Sequence, residues 1–275
     1  MSHRWIRALQ LSVAAGLTAV VLWSCGTVPI TGRRQLNLVD DGQVMAMASA
    51  QYDTVLMNYP LSTNKEQTAM VKRCGARIQK AVEEYFASKG QSSQLAGYDW
   101  EFNLIESDEL NAWCMPGGKV AFYTGILPVC KDETGVAVVM GHEVAHAVAK
   151  HGNERMSQAM LAQYGSVALD VALAKNSTQT RQMAATAFGI GSTFGALMPF
   201  GRKQESEADH LGLIFMAMAG YDPKSAVPFW ERMAASKGEG GSPPEILSTH
   251  PSDETRIANL KQLMPEALTY YKPAK

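Results

Sequence analysis

The stretch DETGVAVVMGHEVAHAVAKH, Asp132 to His151, decides how this 275-residue chain is read. Val136, Val139, Met140, Val144, Ala147 and Val148 recur at helical spacing, and Asp132 stands where a carboxylate can accept from the first free backbone amides, so the stretch predicts a capped helix. On that helix His142 and His146, one turn apart, share a face on which a single ion can touch both imidazoles. Two neutral imidazoles suit zinc, and a distant third ligand leaves one coordination position open for water. Glu143, beside the first histidine, can take that water's proton as it attacks a carbonyl. The plain alternative is a buried helix with two incidental histidines, but burying two imidazoles and a carboxylate among valines and alanines is costly without a partner.

A third ligand is expected downstream. In QESEADHLG, Glu205 and Asp209 are again one helical turn apart, and Leu211, Ile214 and Phe215 continue an apolar helix. A metal-bound histidine usually donates its other ring N–H to a carboxylate, so Glu205 is assigned to the metal and Asp209 to the support of a ligand histidine. Glu207 competes for the ligand role, but its offset of two residues from Asp209 is read as turning it towards solvent. His151, five residues after His146, is read as too far round the helix to share the metal, and as a C-terminal cap on the helix dipole.

HEVAH followed by ESEAD resembles the zinc metallopeptidases that include the heat-shock protease HtpX, the CAAX prenyl proteases, the mitochondrial Oma protease and the periplasmic proteins BepA and LoiP. PITGRRQL (Pro29 to Leu36), NAWCMPGGKVAFYTGIL (Asn111 to Leu127), AGYDP (Ala219 to Pro223) and STHPSDETRI (Ser248 to Ile257) extend the likeness over nearly the whole chain after residue 28. The resemblance implies that His250 of the H-P motif lies near the zinc, either stabilising the developing oxyanion or acting as a removable fourth ligand. Its plain alternative is a turn histidine capping the last helix. The resemblance further implies that the ribbon around Asn111, Ala112, Pro116, Gly117 and Gly118 lays substrate along its edge as an added β-strand. The several membrane spans of HtpX and the helical repeats of BepA have no counterpart in this sequence, and LoiP is the nearest match in size and anchoring.

Net charge is close to neutral, at -1, and nothing in its distribution suggests a nucleic-acid partner. Arg4 and Arg7 precede a moderately apolar run, Ala8 to Trp23, too short and too polar for a comfortable membrane span, which ends in Leu22-Trp23-Ser24-Cys25. This looks like a lipoprotein signal peptide over 1–24, cut before an acylated Cys25, although Trp23 is bulky for such a site and an ordinary signal peptide or an uncleaved anchor is the alternative. Gly26 after the cysteine resembles outer-membrane sorting in diderm bacteria. Acyl chains on Cys25 would anchor the protein to a bilayer without spanning it. Of the other cysteines, Cys74 falls on the core face of a helix, and spacing specifies no pairing among Cys74, Cys114 and Cys130.

Along the chain, residues 25–39 are expected to form an irregular lipid-anchored arm. Helices are expected from Asp40 or Asp41 to about Asn58 and from Lys65 to Ser88. Three strands should follow, over Asp99 to Glu106 with one buried face, Ala112 to Met115, and Lys119 to Thr124, the last two flanking a Pro116-Gly117-Gly118 turn. After the metal helix, the uncharged stretch Met183 to Gly201 with its Gly191-x-x-x-Gly195 is read as a buried or lid-forming hairpin in preference to a membrane helix. A flexible loop is expected at Gly238 to Pro244, and a last helix from Asp253 to Leu263 that carries Arg256, whose acidic partner the sequence does not identify.

The expected fold is α+β, mostly helical, with a small three-stranded sheet beside the H-E-x-x-H helix in one peptidase domain over 40–275. The expected chemistry is peptide hydrolysis with one Zn2+ per chain held by His142, His146 and Glu205. Likeness to the family implies unfolded or misassembled outer-membrane proteins as substrates, at the periplasmic face of the outer membrane. The alternatives are a periplasmic chaperone or assembly factor with latched or structural zinc, and a metallohydrolase acting on cell-wall peptides.

Overall fold

The computed structural model describes residues 25–28, 31–193, 197–236, 245–250 and 254–273, without the side chains of 25, 199, 200, 245 and 249. The expected signal peptide, Gly195 and the loop at Gly238 to Pro244 lie outside these residues. In chain order the main elements are β1 (Cys25–Thr27), β2 (Arg34–Leu36), α1 (Asp41–Asn58), α2 (Lys65–Ser88), β3 (Glu101–Ile105), β4 (Ala112–Met115) and β5 (Lys119–Tyr123). They are followed by α3 (Glu133–Val148), α4 (His151–Ala172), α5 (Thr178–Ser192), α6 (Met198–Met218), α7 (Ala226–Ala235) and α8 (Glu254–Tyr270). The chain divides into two compact units, the larger comprising Gly42–Gly152 and Pro199–Lys275, the smaller Met1–Asp41 and Asn153–Met198.

In the larger unit, α2 forms over the expected residues. Asn64 caps it by accepting from the Gln67 amide, and Val71, Cys74, Ile78, Ala81, Val82 and Tyr85 line its buried stripe. The sheet order is β3-β5-β4, with β5 parallel to β3 and antiparallel to β4, so β4 is an edge. Gly117 and Gly118 turn the chain between β4 and β5 at φ of 88° and 85°, a left-handed conformation that glycine adopts without strain. The expectation of one buried face on β3 is corrected, because Phe102, Asn103, Leu104 and Ile105 are all buried. The reason is that α2 packs on this strand while Tyr52 of α1 clusters with Ile105, Ala121 and Tyr123.

α3 is the centre of this unit. The Asp132 carboxylate accepts from the Gly135 amide at 3.0 Å, and every residue from Gly135 to Val148 is buried. The helix ends sooner than expected. Ala149 caps it, Lys150 takes a left-handed φ of 57°, and a new helix starts at His151. α6 crosses α3 with Gly212 against Gly141, so close that neither position has room for a side chain. That contact sets the distance between the histidines and the acids of ESEAD. α8 runs past its expected end at Leu263 and through Pro265, held on both sides of the proline by buried Leu260 and Ala267. Cys74 and Cys130 are buried, Cys114 is half-buried, and all three are free thiols.

In the smaller unit, the arm expected to be irregular contains two short strands among its described residues. β1 and β2 pair antiparallel, Cys25 opposite Leu36. The Arg33 guanidinium grips Glu154 in α4 at 2.7 and 2.8 Å, and the Leu38 amide donates to Ser157 Oγ at 2.8 Å. Of the buried or lid-forming hairpin expected over Met183 to Gly201, the buried reading is corrected: α5 buries no side chain, and Met183 and Ile190 are 67% and 56% exposed. Gly165 of α4, lacking a side chain, lets Phe188 of α5 settle against it, and Asp170 pairs with Arg181, but this contact leaves the outer faces of both helices open. Among the described residues, no helix is long and apolar enough to cross a membrane.

Candidate metal centre

Three elements of the larger unit deliver one donor set of four residues. His142 and His146 project from one face of α3, Glu205 from α6, and His250 from the turn after the short helix Glu245–Thr249, where its amide donates to the Ile246 carbonyl at 2.7 Å. One ligand atom from each of these four residues lies within 4.8 Å of all the others. His142 Nε2 and His146 Nε2 are 3.2 Å apart, and each is 3.3 Å from a Glu205 oxygen. His250 Nδ1 is 2.8 Å from Glu205 Oε2 and 3.1 Å from His142 Nε2. Imidazole and carboxylate converging at these separations are the donors that zinc takes. Glu143 adds an independent sign: its Oε1 is buried with no hydrogen-bond partner among the described residues, 3.6 Å from His250 Nε2. A buried carboxylate oxygen left in this way needs a proton donor such as water to satisfy it.

The electrostatics follow from packing. Burial and the nearby Arg256 pull His142 down, but hydrogen bonds to Asp209 and Glu205 outweigh them and bring its imidazole to about 9. Burial pushes His146 well below the usual imidazole range, with Glu205 opposing. Burial raises Glu205, yet hydrogen bonds to His142 and His146 hold its carboxyl far below the ordinary range. Asp209 likewise overcomes burial through Arg256 and His142 and lies below the usual aspartate value.

Each ligand imidazole is held from behind. His142 Nδ1 lies 2.9 Å from Asp209 Oδ1, and Arg256 grips Asp209 with Nε at 2.9 Å and Nη2 at 2.6 Å, its guanidinium 3.3 Å from the centre of the Trp230 ring. The acid that Arg256 pairs with is thus Asp209. His146 Nδ1 lies 2.8 Å from His151 Nδ1, and His151 Nε2 lies 3.0 Å from Glu207 Oε2. Two expectations are corrected here. His151 is no helix cap: the break at Lys150 re-aims it, so that a residue which a continuous helix would turn away reaches back to His146. Glu207 does not face solvent but is buried. A signal for it was present, since Glu207, Leu211 and Ile214 follow helical spacing along one apolar stripe.

β4 runs beside this centre. It packs against α3, and burial first, with the Glu143 carboxylate adding to it, raises the Cys114 thiol well above its ordinary value. Among the described residues no other strand pairs with the outer edge of β4. Asn111 precedes that edge, with its side-chain oxygen accepting from the Ala112 amide; Ala112 is buried in the strand; Pro116, Gly117 and Gly118 form the turn at its far end. Cys25 belongs to the smaller unit.

Residues 73–264 match the model of peptidase family M48. The chain belongs to that family. Among curated M48-like relatives, the mitochondrial metalloendopeptidase OMA1 of Schizosaccharomyces pombe is 37% identical over 87% of this chain and 66% of its own length. The mitochondrial metalloendopeptidase OMA1 of Homo sapiens is 28% identical over 97% of this chain and 51% of its own. The beta-barrel assembly-enhancing protease of Escherichia coli is 28% identical over 86% of this chain and 47% of its own. This M48 chain therefore spans between about half and just under two thirds of the length of these relatives.

Proposed function

We propose that this M48 chain is a zinc metalloendopeptidase that cuts unfolded or misassembled proteins of a bacterial envelope. The observation that carries the reading is the convergence of His142, His146 and Glu205 next to a buried, unpartnered Glu143 oxygen and an open strand edge. Zinc held by those three side chains would lower the pKa of a water molecule and polarise the scissile carbonyl. Glu143 would take the proton of a water adding to the carbonyl carbon and return it to the leaving amine nitrogen. Backbone groups of β4 align an extended chain across the centre, which explains recognition with loose side-chain preference. Asp209, fixed by Arg256, orients the His142 ring.

His250 is assigned as a fourth donor that would latch the centre: its Nδ1 stands 2.8 Å from Glu205 Oε2 and 3.1 Å from His142 Nε2, and its binding to a metal there would fill the position that water needs. The same position favours the second reading, a chaperone or assembly factor in which a permanently latched zinc is structural. The envelope location draws support from the likeness to the Escherichia coli beta-barrel assembly-enhancing protease and from the leader ending at Cys25, which would tether the chain to the periplasmic face of the outer membrane.

The deciding experiment measures zinc content and cleavage of casein or an unfolded porin for the wild-type chain and its Glu143→Gln and His250→Ala variants. One zinc per chain, cleavage by wild type, and zinc without cleavage in Glu143→Gln establish the protease. Faster cleavage by His250→Ala establishes the latch. Zinc binding with no cleavage by any of the three hands the site to the chaperone reading.

A further inference from the structure

We propose that His151 and Glu207 are positioning residues for His146, a carboxylate–imidazole relay that fixes which of its ring nitrogens faces the metal; the inference rests on the metal reading above. An ionised carboxylate only accepts hydrogen bonds, so the 3.0 Å contact with Glu207 places the His151 proton on Nε2. A neutral His151 then has a bare Nδ1. At 2.8 Å from His146 Nδ1, that lone pair accepts the His146 Nδ1–H and leaves His146 Nε2 bare, directed at the donor set. His146 Nε2 is the ring nitrogen that lies beside Glu205, so the tautomer demanded from behind is the one the metal needs in front.

Two features show that the arrangement is built. His151 is 0% exposed and Glu207 5%, and burying two such groups is costly unless they satisfy each other. The left-handed Lys150 is what turns the His151 ring back towards His146, across a helix break that no metal ligand requires. The three acids of ESEAD then have three tasks: Glu205 stands among the ligands, Asp209 holds His142 directly, and Glu207 holds His146 through His151. Outer partners of ligand histidines set ring orientation and basicity, and losing one typically weakens metal binding about 10- to 100-fold.

The test uses the full-length chain, with zinc affinity from competition with a chromogenic chelator and 15N-imidazole spectra of the metal-free protein. His151 is expected in the Nε2–H form. Zinc should bind about 10- to 100-fold more weakly to His151→Leu and Glu207→Leu, while Glu207→Gln, whose amide oxygen can still accept, should recover most of the loss. Wild-type zinc affinity in Glu207→Leu, or a His151 proton on Nδ1, overturns the relay. If His151→Leu does not fold, the two Glu207 variants and the wild-type tautomer still decide. If wild type itself takes up no stoichiometric zinc, the metal reading has failed, and the tautomer alone reports on the relay.

Discussion

Gly141 and Gly212 stand face to face where the helix of the two histidines crosses the helix of Glu205. A Cβ on Gly141 would lie 2.8 Å from the Gly212 carbonyl oxygen, and one on Gly212 would lie 2.9 Å from the His142 amide nitrogen. Both opposing groups are backbone and cannot swing away. Gly212→Ala should therefore push the helices apart, destabilising the fold by about 1–3 kcal/mol and weakening zinc binding in the same variant. Urea unfolding with a concurrent zinc titration checks this, and unchanged values for both would show that the crossing is looser than described.

The His142 pKa, raised to about 9 from an ordinary 6.5, has opposite consequences for the empty and the loaded protein. A raised folded-state pKa contributes stability that is fully present below the unfolded value and lost as pH climbs through the folded one. The metal-free chain should thus lose stability between about pH 6.5 and 9 on this account. Zinc needs the neutral imidazole and displaces its proton, so zinc affinity should rise about tenfold per pH unit over the same window and then level. Chelator competition at a series of pH values reads this slope. A flat profile across the window would contradict it.

Asp209 and Arg256 are both almost wholly buried, at 4% and 5% exposure, and each is the other's charge partner. Removing one takes from the other its nearest opposite charge, leaving Asp209 with His142 and Arg256 with the more distant Glu205, so Asp209→Ala and Arg256→Met should each cost up to about 3–5 kcal/mol, with the double variant less damaged than the sum. The sign with pH is the reverse of that for His142. A depressed carboxyl contributes stability above its unfolded pKa and loses it as pH falls through the folded value, below the ordinary 3.8. Denaturation midpoints across acid pH for wild type and Asp209→Asn separate this contribution from the rest.

The Asp132 cap acts at the opposite end of the metal helix from His146, so its removal should affect stability and spare chemistry. Asp132→Ala is expected to cost about 1 kcal/mol, and Asp132→Asn, which can still accept from the Gly135 amide, a few tenths. Thermal melts with the zinc content of each variant give the comparison. Loss of zinc in Asp132→Ala at full stability would disprove the separation.

Much of this was legible before any coordinates. Lys65 to Ser88 reads as a helix because its apolar residues fall on one stripe, and β4 and β5 are bounded by a glycine turn whose backbone few other residues can adopt. H-E-x-x-H and Glu205 were legible because ligand geometry on a helix restricts spacing, and the structure brings those residues together. His151 is not legible in this way, because on one continuous helix it turns away from His146 and nothing local announces that a lysine takes a left-handed conformation at 150. Glu207 was misread from its offset to Asp209 when its own register with Leu211 and Ile214 carried the answer. The strands Cys25–Thr27 and Arg34–Leu36 are three residues each, too short for an alternating pattern to stand out. The uncharged run after Met183 reads as a buried or lid-forming hairpin because it carries no charge, whereas in α5 small residues only replace charged ones.

The open faces of α4 and α5 bear on how the chain comes apart. Tyr164, Val167, Val171, Met183 and Ile190 each leave more than half their surface in water, so melting α5 exposes little new apolar area. Such a segment opens at small free-energy cost while helices packed like α3 stay closed. Amide exchange should be fast across Thr178–Ser192 and slow across Glu133–Val148 in the same molecule. Denaturation is then stepwise, and one melting temperature describes the unit that carries the metal site without describing the chain.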